Sequence, residues 1–239
     1  MKAIILAAGK GIRLRPLTHV IPKALLPVGG KPTIDYVIAN LVKCSEIDEI
    51  YVAVSHLSDA MGKYFEHVRY DVKVTPVQVM GWETGGDIVS VLAEKNIHGP
   101  VLVCYGDNIT EINVAEIIRS HEKRQANATV ALFEVPKEDR GRFGIAEIKD
   151  QMIAKFIEKP DEGSTSSNFA NAGYFVLETG SLKGIEAKKF KIERELFPIW
   201  AREGKLYGHV QKLELWVDIG TIESYILANK LVHKFLPPR

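Results

Sequence analysis

The stretch Lys2–Pro27 reads KAIILAAGKGIRLRPLTHVIPKALLP, and it joins a short apolar run to a glycine-rich loop. The apolar run, AIILAA, is typical of a parallel strand that is covered on both faces of its sheet. Gly9 and Gly11 allow the backbone to turn tightly and to bring its N–H groups close to an anion. Arg13 and Lys23 add positive charge for phosphate oxygens. The stretch therefore predicts a triphosphate-binding loop at the end of a buried strand.

Two better-known glycine loops do not fit this stretch. A Walker loop has the pattern G-x-x-x-x-G-K-[ST], whereas Gly9 and Gly11 are followed here by Ile12 and Arg13. A dinucleotide-binding loop needs a third glycine, and Leu14 occupies that place. Such a loop also needs an acidic residue at the end of the second strand, where this chain has a serine and a histidine. The sequence therefore argues against a nicotinamide cofactor.

The composition suits one sizeable α/β domain and argues against several other classes of protein. The 239 residues carry a formal net charge of +1 without a basic tract, which disfavours nucleic acid or an anionic membrane as a partner. Cys44 and Cys104 are too few for a disulfide framework or a zinc site. Met1 leads directly into the first strand, and no apolar run is long enough to span a bilayer. We therefore expect a soluble, cytoplasmic protein.

Apolar periodicity predicts alternating strands and helices along the first 135 residues. The predicted strands are 3–8, 50–54, 72–79, 100–105 and 129–135, and the predicted helices are 34–42, 57–65, 87–95 and 114–125. This alternation is typical of a doubly wound α/β sheet that is mixed and mostly parallel. Later strands are predicted at 144–148, 152–157, 171–177, 206–210 and 215–217, with helices at 193–203 and 222–235. The first of these later strands predict a small β-rich lobe beside the main sheet.

The pattern G-x-G-x-R-L-x-P-x-T followed by P-K-x-x-L-P resembles the signature loop of the sugar nucleotidylyltransferases, the pyrophosphorylases that make NDP-sugars. The ten matching residues are Gly9, Gly11, Arg13, Leu14, Pro16, Thr18, Pro22, Lys23, Leu26 and Pro27. The resemblance implies a Rossmann-like nucleotidyltransferase fold in one domain, residues 1–239, with a nucleotide-binding half at 1–135 and a sugar-binding half at 136–239. Some family members carry a C-terminal β-helix of hexapeptide repeats, and we expect none here because the chain shows no repeats.

Two aspartates resemble the metal ligands of that family. Asp107 lies in the run YGDN, just past a predicted buried strand, where open α/β sheets bind ligands. Asp218 lies in the segment W-x-D-x-G-T, which begins at Trp216. The resemblance implies that both carboxylates hold Mg²⁺, a hard cation that takes one or two protein carboxylates and completes its octahedron with phosphates and water. We therefore expect Mg²⁺ as the cofactor.

Three further segments resemble the sugar-binding motifs of the family. They are FGIAEI at 143–148, FIEKP at 156–160 and NAG at 171–173. The resemblance implies that Lys159 contacts the sugar phosphate and that Glu158 contacts a sugar hydroxyl. Gly144 and Asn171 are the remaining implied sugar ligands.

The implied nucleotide-binding residues lie in two segments. They are Leu6, Ala7, Ala8, Gly9 and Gly11 in the loop and Gln78, Thr84 and Gly86 in the segment that faces the base. The resemblance implies that loop amides hold the β- and γ-phosphates and that Gln78 hydrogen-bonds the base. Glu83 and Asp87 depart from the family pattern, because they place carboxylates near a polyanion where relatives have a glycine and an alanine. This departure bears on which nucleotide the chain uses.

The resemblance implies an enzyme that condenses a nucleoside triphosphate with a sugar 1-phosphate to give NDP-sugar and pyrophosphate. Arg13, Lys23 and Lys159 are the implied catalytic cations, which act by positioning and charge neutralisation. The motifs are closest to those of glucose-1-phosphate thymidylyl- and uridylyltransferases, which favours dTTP or UTP with glucose 1-phosphate. Two alternatives stay open: GTP or CTP with mannose, a heptose or a non-sugar phosphate, and a non-catalytic paralogue that regulates a partner. Family members often form dimers or tetramers, so a homo-oligomer is a further expectation.

Overall fold

The computed structural model describes residues 1–232, and its centre is a mixed β-sheet. The strands are β1 (Lys2–Leu6), β2 (Pro27–Val28), β3 (Lys31–Pro32), β4 (Glu49–Val54), β5 (Lys73–Gln78), β6 (Pro100–Tyr105), β7 (Asn108–Thr110), β8 (Ala128–Glu134), β9 (Gly144–Lys149), β10 (Met152–Glu158), β11 (Phe169–Glu178), β12 (Leu206–Val210) and β13 (Trp216–Asp218). Nine of them form the central sheet in the order β5-β4-β1-β6-β11-β8-β12-β10-β9. Two short pairs, β2 with β3 and β7 with β13, stand apart from it.

Helices cover both faces of this sheet. They are α1 (Thr33–Val42), α2 (Ser58–His67), α3 (Glu83–Lys95), α4 (Val114–Glu122), α5 (Ile192–Glu195), α6 (Phe197–Arg202) and α7 (Ile222–Val232). Neighbouring residues of β1 show the two faces, since Ile5 shares a core cluster with α1 and α4 whereas Ile4 shares one with α3 and α6. Both isoleucines are fully buried, which explains why β1 reads as a continuous apolar run. Within residues 1–232, no helix combines the length and apolarity needed to cross a bilayer.

The pairing of the strands confirms the predicted mixed α/β sheet, although it is not mostly parallel. In the described part of the chain, four of the pairings of the central sheet are parallel and five are antiparallel. β1 pairs in parallel with β4 and β6, and β4 pairs in parallel with β5. β11 then lies antiparallel between β6 and β8. In the described part of the chain, parallel pairing is confined to β1, β4, β5 and β6 and to the pair of β8 with β12.

The strands that were expected to form a lobe beside the sheet extend the sheet itself. β9 and β10 form an antiparallel pair, β10 also pairs with β12, and β9 pairs with β11. This arrangement satisfies backbone groups that a separate lobe would expose at a strand edge. One sheet therefore runs through both predicted halves of the chain.

Two helices near the end of the chain differ from their predicted bounds. The predicted helix 193–203 is divided by Leu196 into two short helices, α5 and α6, the second of which ends at Arg202. Pro198 lies in the first turn of α6, and a residue without an N–H suits the start of a helix and not its interior. The predicted helix 222–235 is described as α7, and residues 233–235 lie outside the described part of the chain.

A pair of glycines at the start of α3 allows a second segment to approach closely. α3 begins at Glu83, four residues before its predicted start. Gly85 N donates a hydrogen bond to Phe190 O at 3.0 Å. A Cβ atom at Gly85 would overlap the Phe190 ring, and one at Gly86 would overlap the Lys188 carbonyl. The segment before α5 therefore packs directly on the first turn of α3.

We expect Gly85→Ala to lower the free energy of unfolding by about 1–3 kcal/mol, because the added methyl group must displace the Phe190 ring. The matched control is Gly62→Ala in α2, where no atom lies within 4 Å of a built Cβ. That change should raise the free energy of unfolding by about 0.5–1 kcal/mol, because alanine favours the helix over glycine. Urea denaturation of both variants measures the difference, and equal effects would contradict the proposed close packing.

Candidate active site

A cleft of about 650 Å³ opens at the carboxyl ends of β1 and β6. It is lined by Leu6, Ala7, Ala8, Gly9, Lys10, Gly11, Ile12, Lys23, Ala24, Ser55, Met80, Gly81, Glu83, Thr84, Asp87, Tyr105, Gly106, Asp107 and Lys189. Open α/β sheets bind ligands in this position, outside the carboxyl ends of their parallel strands. The five loop residues that the sequence assigns to the nucleotide all lie in its wall.

Contacts with the following segment keep the glycine loop in one conformation. Gly11 lies in the left-handed region at φ 59°, which glycine adopts without steric cost. Thr18 Oγ1 donates a hydrogen bond to Gly11 O at 2.7 Å, and His56 Nε2 lies 3.0 Å from Thr18 O. Thr18 is buried, so its hydrogen bond holds the loop to the interior of the protein. Arg13, in contrast, is exposed.

Lys23 and Asp107 form an ion pair in the cleft wall. Their side chains are only 16% and 28% exposed, and partial burial strengthens the attraction of opposite charges. Because Lys23 belongs to the segment after the glycine loop and Asp107 follows β6, the pair joins the two chain segments that form the centre of the cleft.

Strand pairing places Asp218 beside Asp107. In the antiparallel pair of β7 and β13, Asp218 lies opposite Asn108. The next residue, Ile219, donates its N–H to Asp107 O at 3.1 Å. Two aspartates that are more than a hundred residues apart in the chain therefore lie on adjoining backbone segments.

The carboxylate of Asp218 and the guanidinium of Arg13 both border Gly220. A Cβ built at Gly220 would lie 3.1 Å from Asp218 Oδ2 and 3.2 Å from Arg13 Nη2. The structure thus brings Arg13 to the end of β13, which carries Asp218, while Asp107 directly precedes β7 and pairs with Lys23. Two cations and two carboxylates from four separate parts of the chain meet at this end of the sheet.

A bulge in β11 carries Asn171, one of the predicted sugar ligands. The pairing of β11 with β8 shifts register after Asn171, and Gly173, at φ +80°, donates its N–H to Asn171 Oδ1 at 2.8 Å. The carbonyl oxygen of Ala172 accepts two side-chain hydrogen bonds, from Asn108 Nδ2 at 3.1 Å and from Trp216 Nε1 at 3.0 Å. The bulge is therefore tied to both segments that carry the aspartates.

Trp216 also packs against the segment that begins β9. Its ring stacks on Phe133 at a centroid distance of 5.1 Å and an angle of 23°. Phe143 meets the edge of Trp216 at 5.0 Å and lies directly before Gly144. The sequence alone assigned Trp216 no role, because a single tryptophan is usually a core residue.

Gly144 and Glu158 lie opposite each other in the pairing of β9 with β10. A Cβ at Gly144 would lie 2.8 Å from Glu158 Oε2, so a side chain there would crowd the carboxylate. Burial raises the pKa of Glu158, the nearby carboxylate of Glu193 raises it further, and Lys159 lowers it. Lys159 itself is exposed at φ 54°, and its N–H donates to Phe143 O at 2.9 Å.

Glu193 is a buried acceptor that the sequence analysis missed. It is 3% exposed, and its two oxygens accept hydrogen bonds from the hydroxyl of Tyr105 and from Thr84 Oγ1, the latter at 2.5 Å. Burial and the charge of Glu193 raise the pKa of Tyr105. These partners lie 88 and 109 positions from Glu193 in the chain. A local sequence pattern does not predict contacts over such distances.

The segment assigned to the base lies only partly in the cleft wall. Thr84 lines the cleft, whereas Gln78 and Gly86 are not among its lining residues. Gln78 is exposed at the end of β5, and Gly86 is buried where the segment before α5 crosses α3. The structure therefore brings Thr84 to the cleft of the glycine loop and Asp107 but leaves Gln78 and Gly86 outside its lining.

The two carboxylates that depart from the family pattern have different surroundings. Asp87 is 4% exposed, and its Oδ1 accepts a hydrogen bond from Trp82 N at 2.8 Å. Burial raises the pKa of Asp87. Glu83 is 39% exposed and lines the cleft, with its Oε2 3.6 Å from Lys191 Nζ. Lys189, which the sequence analysis did not single out, lines the same cleft.

Comparison with known proteins identifies the family of the chain. The profile of a family described as nucleotidyl transferase matches residues 2–234. The chain belongs to the nucleotidyl transferase family. A relative from Sulfolobus acidocaldarius that carries the name mannose-1-phosphate guanyltransferase is 32% identical over 96% of this chain and 62% of its own length. A Synechocystis relative named UTP–glucose-1-phosphate uridylyltransferase is 30% identical over 94% of this chain and 61% of its own length.

Solved structures of this family share the fold of the chain. A glucose-1-phosphate thymidylyltransferase from Bacillus anthracis, solved with sucrose, superposes with a TM-score of 0.82 at 26% identity and covers 100% of this chain and 98% of that one. A UDP-glucose pyrophosphorylase solved with UDP-glucose has a TM-score of 0.81 at 21% identity, over 98% of this chain and 99% of that one. This nucleotidyl transferase chain thus matches two solved chains almost end to end, whereas it spans about three fifths of its curated relatives.

The shared acceptor at Ala172 predicts coupled effects of its two donors. Asn108→Ala and Trp216→Phe should each cost about 1 kcal/mol of unfolding free energy, because the other donor still satisfies the carbonyl. The double variant should cost about 1–3 kcal/mol more than the sum, since it leaves a buried carbonyl without a side-chain donor. Denaturant titrations measure this coupling. Asn113→Ala, which removes the cap of α4 and shares no partner with Trp216, should combine additively with Trp216→Phe; additive behaviour of the Asn108 pair would contradict the shared role.

Proposed function

We propose that this chain condenses a nucleoside triphosphate with a sugar 1-phosphate to give an NDP-sugar and pyrophosphate. The observation that carries the proposal is the group of two cations and two carboxylates where the glycine loop, β7 and β13 meet. Two polyanionic substrates need cations and loop N–H groups where their phosphates meet. Membership of the nucleotidyl transferase family supports the same reaction.

The reaction joins two anions, and its chemistry explains the residues. An oxygen of the sugar 1-phosphate attacks the α-phosphorus, the bond from that phosphorus to the α–β bridging oxygen breaks, and pyrophosphate leaves with the electron pair. No protein nucleophile is needed, so the protein contributes positioning and charge neutralisation. We assign Arg13 to the departing pyrophosphate and Lys23 to the triphosphate. The amides of the glycine loop hold the β- and γ-phosphates.

The sugar side of the proposal uses the second half of the chain, residues 136–239. Lys159, which is exposed, binds the phosphate of the sugar. Glu158 and Asn171 bind sugar hydroxyls, and the absence of a side chain at Gly144 leaves room beside the Glu158 carboxylate. The bulge at Ala172 connects these residues to the strand pair of the aspartates.

The donor set at Asp107 and Asp218 suits Mg²⁺. Both side chains supply carboxylate oxygen, and Mg²⁺ takes one or two protein carboxylates while phosphates and water fill its other positions. Residues 1–232 contain no group of three or more histidine, cysteine, aspartate or glutamate side chains arranged to hold a metal, which fits a site that substrate oxygens complete. Mg²⁺ held by Asp107 and Asp218 would supply charge neutralisation of the phosphates.

The base and the sugar are the finer part of the proposal, and there are two candidates. dTTP or UTP with glucose 1-phosphate is favoured by the names of the Synechocystis and Bacillus anthracis proteins. The amide of Gln78 can both donate to and accept from an imide edge, but Gln78 is not among the residues that line the cleft. GTP or CTP with mannose, a heptose or a non-sugar phosphate is favoured by Glu83 in the cleft wall and by the name of the Sulfolobus acidocaldarius relative.

A non-catalytic regulatory role is less well supported than catalysis. Such a paralogue is free to lose its charged site residues, whereas here Arg13, Lys23, Asp107 and Asp218 are present and are brought together. Release of pyrophosphate from five nucleoside triphosphates against several sugar 1-phosphates tests the proposal directly. No release from any pair would favour the regulatory role. A cytoplasmic location and a homo-oligomeric state stay predictions.

If Asp107 and Asp218 act on one metal ion, Asp107→Asn and Asp218→Asn should each lower kcat by about 100-fold or more. The double variant should be little worse than either single variant, because the two carboxylates act as one unit. Steady-state pyrophosphate release with a Mg²⁺ titration measures both effects. Asp139→Asn, a change at a half-buried residue that pairs with Arg142 outside the cleft lining, serves as control. Reductions that multiply in the double variant would contradict a shared ion.

Arg13→Ala should lower kcat about 100- to 1,000-fold, because its partner is the charge that develops on pyrophosphate. Lys159→Ala should chiefly raise the KM for sugar 1-phosphate, since it binds a group whose charge changes little. Arg15→Ala and Lys155→Ala are matched controls on neighbouring exposed positions. The opposite division between kcat and KM would show that the two subsites are exchanged.

A further inference from the structure

Glu83 has an unusual backbone conformation for an acidic residue. Its φ is +64°, in the left-handed region where a residue with a side chain is strained and glycine is not. Glu83 is the first residue of α3, and the backbone there gives no reason to prefer glutamate over glycine. Non-glycine residues held in this region concentrate at ligand-binding sites, so the side chain itself is the feature to explain.

The side chain of Glu83 belongs to the cleft. It lines the cavity together with Met80 and Gly81, and Gly81 lies close to the glycine loop, since a Cβ built there would be 3.9 Å from Ala8 O. Its Oε2 lies 3.6 Å from Lys191 Nζ, so the carboxylate faces an opposite charge. A carboxylate acceptor therefore lies in the cleft wall beside the predicted phosphate loop.

The other polar groups of this segment are poorer candidates for contact with a base. Asp87 is buried, and its carboxylate accepts the N–H of Trp82 at 2.8 Å, which is a structural role. Gln78 is exposed outside the group of residues that line the cleft. Thr84 already donates its hydroxyl to Glu193. Glu83 keeps a 39% exposed side chain.

The hydrogen-bonding chemistry of a carboxylate separates guanine and cytosine from thymine and uracil. An ionised carboxylate only accepts hydrogen bonds. Guanine offers two adjacent N–H donors, at N1 and at its amino group, and cytosine offers an amino group. Thymine and uracil offer one imide N–H between two carbonyl oxygens, whose lone pairs face a carboxylate unfavourably. We propose that Glu83 reads the base and selects GTP or CTP, whose bases donate an amino N–H to its carboxylate, over dTTP and UTP.

This inference rests on the proposed transferase function, and its test separates the two. The wild-type chain, Glu83→Gly and Glu83→Gln are assayed for kcat/KM with GTP, CTP, UTP and dTTP, and the binding of each nucleotide is measured by calorimetry. Glu83→Gly places glycine at a left-handed position, so it should fold at least as well as the wild type. Glu94→Gln, an exposed change in the same helix, is the matched control.

We expect the wild type to use GTP or CTP best, and the panel decides between these two bases. Glu83→Gly should lower the ratio of the preferred nucleotide to UTP about tenfold or more, in both turnover and affinity, as the loss of a base-reading pair would. Glu94→Gln should leave the ratio unchanged. A wild type that prefers UTP or dTTP, or a ratio that Glu83→Gly leaves intact, would overturn the inference while the transferase function stands. Turnover of no nucleotide at all would overturn both.

Discussion

The carbonyl oxygen of Ala172 accepts two side-chain hydrogen bonds, and the geometry of the site depends on them. One donor, Asn108, follows the first predicted metal ligand directly, and the other, Trp216, lies two residues before the second. The acceptor lies between Asn171 and Gly173, in the bulge of β11. A Cβ at Gly173 would overlap the Asn108 amide, so glycine is required for this approach. Two hydrogen bonds thereby hold together three parts of the chain that are far apart in sequence. The strands on either side supply the rigidity that a site for two substrates needs.

The charges of the site are arranged so that unlike charges adjoin. Lys23 pairs with Asp107, and the side chains of Arg13 and Asp218 both border Gly220. An ion pair such as that of Lys23 with Asp107 keeps partly buried charges tolerable, because each charge replaces some of the hydration that the other loses. The group therefore suits phosphates in two ways. Its cations can bind phosphate oxygens directly, and its carboxylates have oxygen atoms for a hard cation such as Mg²⁺, which also binds phosphates.

The local parts of this architecture were readable from sequence, and the long-range parts were not. Composition and spacing predict three local features: the apolar run of β1, the glycine loop and the strand before Asp107. The structure places all three at one cleft. The union of β9 and β10 with the main sheet depends on which edge remains free, which spacing does not reveal. Glu193 gave no signal either, since its meaning lies in partners 88 and 109 residues away. The functional roles of the site residues rest on resemblance and stay predictions.

Glu193 joins two parts of the cleft wall, the end of β6 and the start of α3, by hydrogen bonds. One of its oxygens accepts from Tyr105 at the end of β6, and the other accepts from Thr84 in the first turn of α3. A carboxylate that is 3% exposed cannot exchange such partners for water, so displacing either hydroxyl would leave a buried charge with half of its hydrogen bonds. The same charge raises the pKa of Glu158 on the predicted sugar side. The start of α3, where the base is expected, and the strand that holds the predicted sugar-side carboxylate are therefore both next to one buried carboxylate, which joins the first by a hydrogen bond and acts on the second through its charge.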